Sequence, residues 1–175
     1  MPTGKRKVSR KIPGTGIAVL TAAAIFAQVT PAYAMMCPSP AEQRALDVRV
    51  LQTHLMVAAL SCDAKSSYNS FVNKFHAELV PHGYALRRLF KRTYGKSARH
   101  QLNRFITRLA NDESASRITA GERYCPNAQM LFTRVLGAHN GYVGTLASNL
   151  PIAGSHGITA CQPKQDDFKA AQRSQ

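Results

Sequence analysis

The chain has 175 residues and carries 23 Lys and Arg against 9 Asp and Glu, a formal net charge of +14. That length accommodates one domain with a real core. Its four cysteines form no Cys-x-x-Cys pair, which excludes zinc-ribbon, thioredoxin-like and c-type haem spacings.

The chain opens on Lys5, Arg6, Lys7, Arg10 and Lys11, followed by the apolar run IAVLTAAAIFAQV, Ile17 to Val29, and then TPAYA. Basic start, apolar run and small residues at Ala32 and Ala34 are the order of a secretory signal peptide, expected to be cut after Ala34. The apolar run is shorter than the roughly 20 residues that span a bilayer. Three segments are therefore expected: a signal peptide over 1–34, a single helical domain over 35–161, and a polar, disordered tail over 162–175. Removing the signal takes away five basic residues and no acid, so 18 of the 23 Lys and Arg stay with all 9 acids.

Helical periodicity dominates the rest, and strand alternation is scarce. The first helix is expected from about Pro40 to Leu60. Leu46, Val50, Val57 and Leu60 share one face, and Val48, Leu51, Leu55 and Ala59 share another. A helix apolar on most of its circumference is a central one, wrapped by its neighbours. In the second helix Tyr68, Phe71, Val72, Phe75, Leu79, Leu86, Leu89 and Phe90 keep one phase through Pro81, which points away from the stripe. The expectation is one long helix kinked at Pro81, with a break at Val80 as the alternative, ended by Gly95. Ser97 is placed to cap a third helix, with a stripe of Ala98, Leu102, Phe105, Ile106 and Leu109 that NDESAS, Asn111 to Ser116, ends or frays. Thr119 and Glu122 have capping-box spacing for a fourth, continued in phase by Tyr124, Ala128, Leu131, Val135, Ala138 and Tyr142, with Gly137, Gly141 and Gly144 weakening its far end. The fold class is all-α: a disulfide-bonded bundle of about four main helices with a long kinked second helix.

An even cysteine count in an exported chain reads as two disulfides. Cys37 and Cys62 flank a helix of roughly 30 Å at 1.5 Å per residue, too far for a bridge. In an up-down bundle the third helix returns Cys125 to the end that holds Cys62. Cys62–Cys125 follows, and Cys37–Cys161 by elimination.

Arg87 to Arg108 carries eight Lys or Arg residues and no acid, and no carboxylate occurs between Glu78 and Asp112. Arg87, Arg88, Lys91 and Arg92 fall on the outer face of the second helix, and Arg104 and Arg108 on that of the third. Arg88/Arg92, Arg87/Lys91 and Arg104/Arg108 are like-charge neighbours one turn apart, each mildly destabilising. A chain that carries several such pairs in one hairpin has a use for the field they create, and arginine suits bidentate contact with phosphate or carboxylate. The six residues are the candidate anion-binding face; the alternative is a merely solvated surface. Because Phe90, Leu102 and Phe105 point inward, no aromatics are left for base stacking, and nucleic acid is not an expected partner. Anionic lipid, lipopolysaccharide, or an acidic protein or polysaccharide are. The oligomeric state stays open.

Catalytic and metal motifs are absent: there is no Gly-x-Ser-x-Gly, His-Glu-x-x-His or phosphate loop. Ser155 and His156 are adjacent in a Gly-rich loop, which does not make a nucleophile–base pair. Glu78 and His82 have i,i+4 spacing, but His82 lies in the apolar stripe and reads as a boundary histidine. His54, on the most apolar helix with Asp47 two turns earlier, reads as a core histidine with one hydrogen bond. No cofactor, metal ligand or catalytic residue is expected.

The segments VRVLQTHLMVAALSC, YNSFVNKF, LRRLFKRTYG, LNRFITRLANDES and RYC, within Val48 to Cys125, resemble a group of small exported helical proteins of alphaproteobacteria with a domain of unknown function. The resemblance implies export, helices and the Cys62/Cys125 pair, and it carries no catalytic residue. The expected function is a non-enzymatic binding or interaction protein of the cell envelope, periplasmic or secreted, that turns its basic helical face toward an anionic partner. A small periplasmic hydrolase or lipid-acting enzyme, and an envelope-stress or chaperone-like helical protein, are the alternatives.

Overall fold

A computed structural model describes residues 36–159; the expected signal peptide, Cys161 and the polar tail lie outside the described residues. Six helices follow in order: α1 Pro40–Ser61, α2 Lys65–Lys74, α3 His76–Tyr94, α4 Ala98–Ala120, α5 Tyr124–Gly137 and α6 Val143–Ser148. No strand occurs among the described residues. Tight 3-10 turns at Gly95–Ser97 and Gly121–Arg123 join α3 to α4 and α4 to α5, so helix is continuous from His76 to Gly137. Each turn opens on a glycine with positive φ, 53° at Gly95 and 56° at Gly121, where a side chain would be strained. No described helix is long and apolar enough to cross a membrane.

The first helix is central, as its apolar circumference requires: α1 packs against each of the other five. Its two faces go to different halves of the core. Val48, Leu51 and Leu55 pack with Phe71 of α2, Phe75 at the α2–α3 junction, Phe132 and Val135 of α5, and Val143 and Leu146 of α6. Leu46 and Val50 pack with Leu86, Leu89 and Phe90 of α3, and with Phe105 and Leu109 of α4. The exception is Leu60, which is exposed at the end of the helix. Cys62, just past α1, is bridged to Cys125 in the first turn of α5, with Cα atoms 5.5 Å apart. Cys37 is disulfide-bonded as well; Cys161, the partner expected for it from the sequence, lies outside the described residues.

Several details differ from the sequence expectation, among them that Ser97 makes no capping bond to α4 and that α5 ends at Gly137, before Ala138 and Tyr142. The interruption of the long second helix is at Phe75, not at Pro81 or Val80. Phe75 N–H still donates to Phe71 O (3.1 Å), and Phe75 O accepts from Leu79 N–H (2.9 Å), so the hydrogen-bond ladder passes through the distortion. Both Phe71 and Phe75 are fully buried there, their rings 5.6 Å apart. Pro81 sits inside α3 on its exposed side, where water can serve the carbonyl it leaves unpaired. Asn111–Ser116 does not end α4 either, since Ser114 and Ser116 bond back to the carbonyls of Ala110 and Asp112 within the helix. Thr119 likewise donates to Ala115 O, so no capping box forms with Glu122. The capping box is at Ser39–Glu42, with Pro40 in the first turn of α1.

Candidate functional site: the basic α3–α4 hairpin and its groove

The six basic residues singled out in the sequence fall into three groups. Arg88 and Lys91 are exposed on α3 and make no ion pair among the described residues; Arg87, beside them, lies over the Tyr84 ring at 4.5 Å. Arg92 is committed elsewhere. Its two terminal nitrogens grip both oxygens of Glu42, at 2.6 and 2.9 Å, and Nη2 also donates to Cys37 O at 3.2 Å. Glu42 in turn accepts the Ser39 N–H at 2.8 Å, so Arg92 clamps the N-terminal cap of α1. The guanidinium holds the Glu42 carboxyl well below the usual carboxylate range, at about 2.

Arg104 and Arg108, one turn apart on α4, line an open groove of about 890 Å³. Its floor is apolar: Phe90 and Tyr94 from α3 (rings 5.7 Å apart) and Phe105 from α4 (5.3 Å from Phe90). Met36 and Ile158 close the apolar sides, and His100 continues the basic edge one turn before Arg104. Asp112 is the acid in the lining. The Arg104 side chain is exposed and has no hydrogen-bond or ion partner among the described residues. Arg108 lies over the Phe105 ring at 5.6 Å and donates to His156 O at 2.8 Å.

That last bond attaches one wall of the groove, residues 157–159, to the bundle. His156 is fully buried. The Ile158 N–H donates to its Nδ1 at 3.0 Å. Nε2 faces the Gln43 side-chain amide at 2.8 Å and Asp47 Oδ1 at 3.5 Å. Asp47, buried in α1, also accepts from Ser148 Oγ at 2.8 Å and Gly154 N at 3.0 Å. Burial first, and then the nearby Arg108 charge, hold the His156 pKa below its ordinary value, while Asp47 pulls the other way. Gly157 fits the wall for two reasons: its φ is +69°, and an added Cβ would stand 3.2 Å from Arg108 Nη1. Asp47, two turns before His54 in the same helix, is partnered by His156, more than a hundred residues on.

His54 pairs instead with Glu113 of α4, Nδ1 to Oε2 at 2.7 Å, and Tyr124 of α5 donates to Oε1 of the same carboxylate at 2.6 Å. Burial and this carboxylate push the Tyr124 hydroxyl pKa up. The cleft beside His54 is only about 100 Å³, and no hydroxyl among the described residues is hydrogen-bonded to the ring. Glu78 is not poised for metal either: it accepts the N–H groups of Gly141 and Val143, at 2.7 and 2.9 Å, where α6 begins. His82 packs against Gly144 of α6, and burial lowers its pKa. No cluster of three or more His, Cys, Asp or Glu suited to a metal ion occurs among the described residues.

Comparison with protein-family models, with curated proteins and with solved structures finds no match.

Proposed function

We propose that this chain is an exported, non-enzymatic binding protein of the cell envelope, periplasmic after cleavage near Ala34, whose α3–α4 hairpin engages an anionic partner. One observation carries the reading: Arg88, Lys91 and Arg104 project from the hairpin with no ion pair among the described residues, so their field is free for a partner. The signal-like start, the Cys62–Cys125 bridge and the resemblance of Val48 to Cys125 to exported proteins support the compartment.

Vesicles of phosphatidylglycerol in phosphatidylcholine test it. The protein is expected to sediment with them at low ionic strength and to be released steeply as salt rises toward about 0.15 M. Arg88→Gln with Lys91→Gln should remove most of that binding without changing the melting temperature, because neither side chain holds another element. Equal sedimentation of parent and double variant at every salt concentration would sink the proposal.

The hydrolase or lipid-acting alternative is favoured by a single constellation, the His54–Glu113 pair with its partly exposed ring. A hydroxyl or thiol nucleophile hydrogen-bonded to that ring is missing among the described residues, so the binding reading ranks first.

A further inference from the structure

We propose that the groove between the end of α3, α4 and residues 157–159 is a binding site for a single-chain anionic amphiphile, with its headgroup on Arg104 and its chain on Phe90, Tyr94, Phe105 and Ile158. The inference rests on the anion-binding reading and gives it a location and a ligand class.

Shape, lining and charge agree on this occupant. At about 890 Å³ the groove lies within the range of small-molecule sites, and its floor is formed by aromatic rings rather than polar side chains. Such a floor removes an alkyl chain from water at about 25 cal/mol per Å² buried, while Gln101, Asn103 and Asn111 share the lining with it. The basic edge then selects among amphiphiles. His100, Arg104 and Arg108 recur at one-turn spacing along α4, so they form a row above the apolar floor. Their roles differ. Arg108 spends one donor on His156 O and lies over Phe105, which fixes it as part of the wall. Arg104 keeps all its donors, and a guanidinium without a partner beside an apolar surface is suited to a phosphate or carboxylate in bidentate contact. Asp112, in the same lining, disfavours a second negative group further along, which points to one anionic head rather than a polyanion. The exposed Arg88 and Lys91 do not line the groove, so a general polyanion response and a specific amphiphile response are separable by mutation.

Titration calorimetry of the purified protein at about 0.15 M salt tests the site, with dodecyl phosphate below its micelle concentration as the probe. Dodecyl maltoside supplies the same chain with a neutral head, and inorganic phosphate supplies the head alone. Saturable one-to-one binding of dodecyl phosphate is expected, about tenfold or more tighter than either control. Arg104→Gln should weaken dodecyl phosphate about tenfold and leave dodecyl maltoside nearly unchanged. Tyr94→Ala, at a half-exposed floor position, should weaken both. Arg88→Gln with Lys91→Gln should alter neither, although it removes vesicle binding. Thermal melts of each variant establish that it is folded. Equal affinity for the phosphate and maltoside amphiphiles would overturn the proposal, as would an unaltered dodecyl phosphate affinity in a folded Arg104→Gln variant. A dimer that dodecyl phosphate dissociates would overturn it too, because the groove would then belong to a second copy of the chain. Vesicle binding without dodecyl phosphate binding would discard the groove and leave the basic face standing. Failure of both would discard the anion-binding reading itself.

Discussion

Arg92 shows how a basic residue can look available in a sequence and be employed in the fold. Its i,i+4 neighbour Arg88 suggests a repulsive pair, yet Arg92 turns to Glu42, fifty residues earlier, and neutralises the one charged group of the α1 cap. Arg108 is similarly drawn to His156 O, so two of the three like-charge pairs on the hairpin have one member tied to an acceptor. Arg92→Gln should therefore cost about 1 kcal/mol at pH 7, a modest figure because the arginine is itself half exposed to water and salt. The pH dependence has a definite sign. Glu42 has a depressed folded pKa, so its contribution is complete above the ordinary carboxyl value of 4.5 and fades as pH falls toward about 2. Urea melts at pH 7 and pH 3 are expected to show that the variant lacks part of this acid-sensitive stability. An unchanged pH profile would mean that the clamp on Glu42 contributes nothing.

At the scale of elements, α1 was the most legible part of the sequence and α6 the least. The two apolar faces of α1 correspond to the two halves of the core because a fully surrounded helix shows its burial in composition alone. Leu51, without exposed surface, faces the half built with α2, α5 and α6. Leu51→Ala should cost about 2–5 kcal/mol by transfer and cavity terms, measured as a shift in the urea midpoint with an unchanged slope. A loss under about 0.5 kcal/mol would remove α1 from the centre. The six-residue α6, by contrast, has no room for a periodic pattern, and its start is supplied by Glu78 from another helix. The continuation of α4 through Asn111–Ser116 was hidden for a related reason. Serines that favour caps in isolation here bond back into the helix, and Glu113 is held by His54 and Tyr124 from two other elements. The Ser39-Pro40-Ala41-Glu42 cap, however, was readable, since it has the same spacing as the pair chosen at Thr119 and Glu122.

For the whole molecule, the candidate site was half legible. The sequence marks the basic hairpin, but the groove needs Met36, Ile158 and Thr159 brought to it from outside that hairpin, and no local pattern announces such a meeting. Its wall is held through His156, and that gives the fold a pH response near neutrality. A histidine whose folded pKa is below its ordinary 6.5 takes up a proton on unfolding in the interval between the two values. Stability should thus fall as pH drops below about 6.5, with His82 acting in the same direction. The slope from one such proton is at most about 1.4 kcal/mol per pH unit. His156→Asn is expected to lower stability at pH 7 and to flatten the decline between pH 6.5 and 5, read from chemical melts at each pH. Parallel profiles for parent and variant would show that His156 does not exchange a proton on unfolding.

The same wall has a consequence in time. Residues 157–159 follow all six helices in chain order, and Asp47, which helps to seat them, is near the start of α1. A chain emerging amino end first from a ribosome or an export channel can collapse α1 through α5 around their shared core while its last residues are still confined. On that route the bundle can assemble before the groove does. Until residues 157–159 are free to dock, the groove lacks one of its walls.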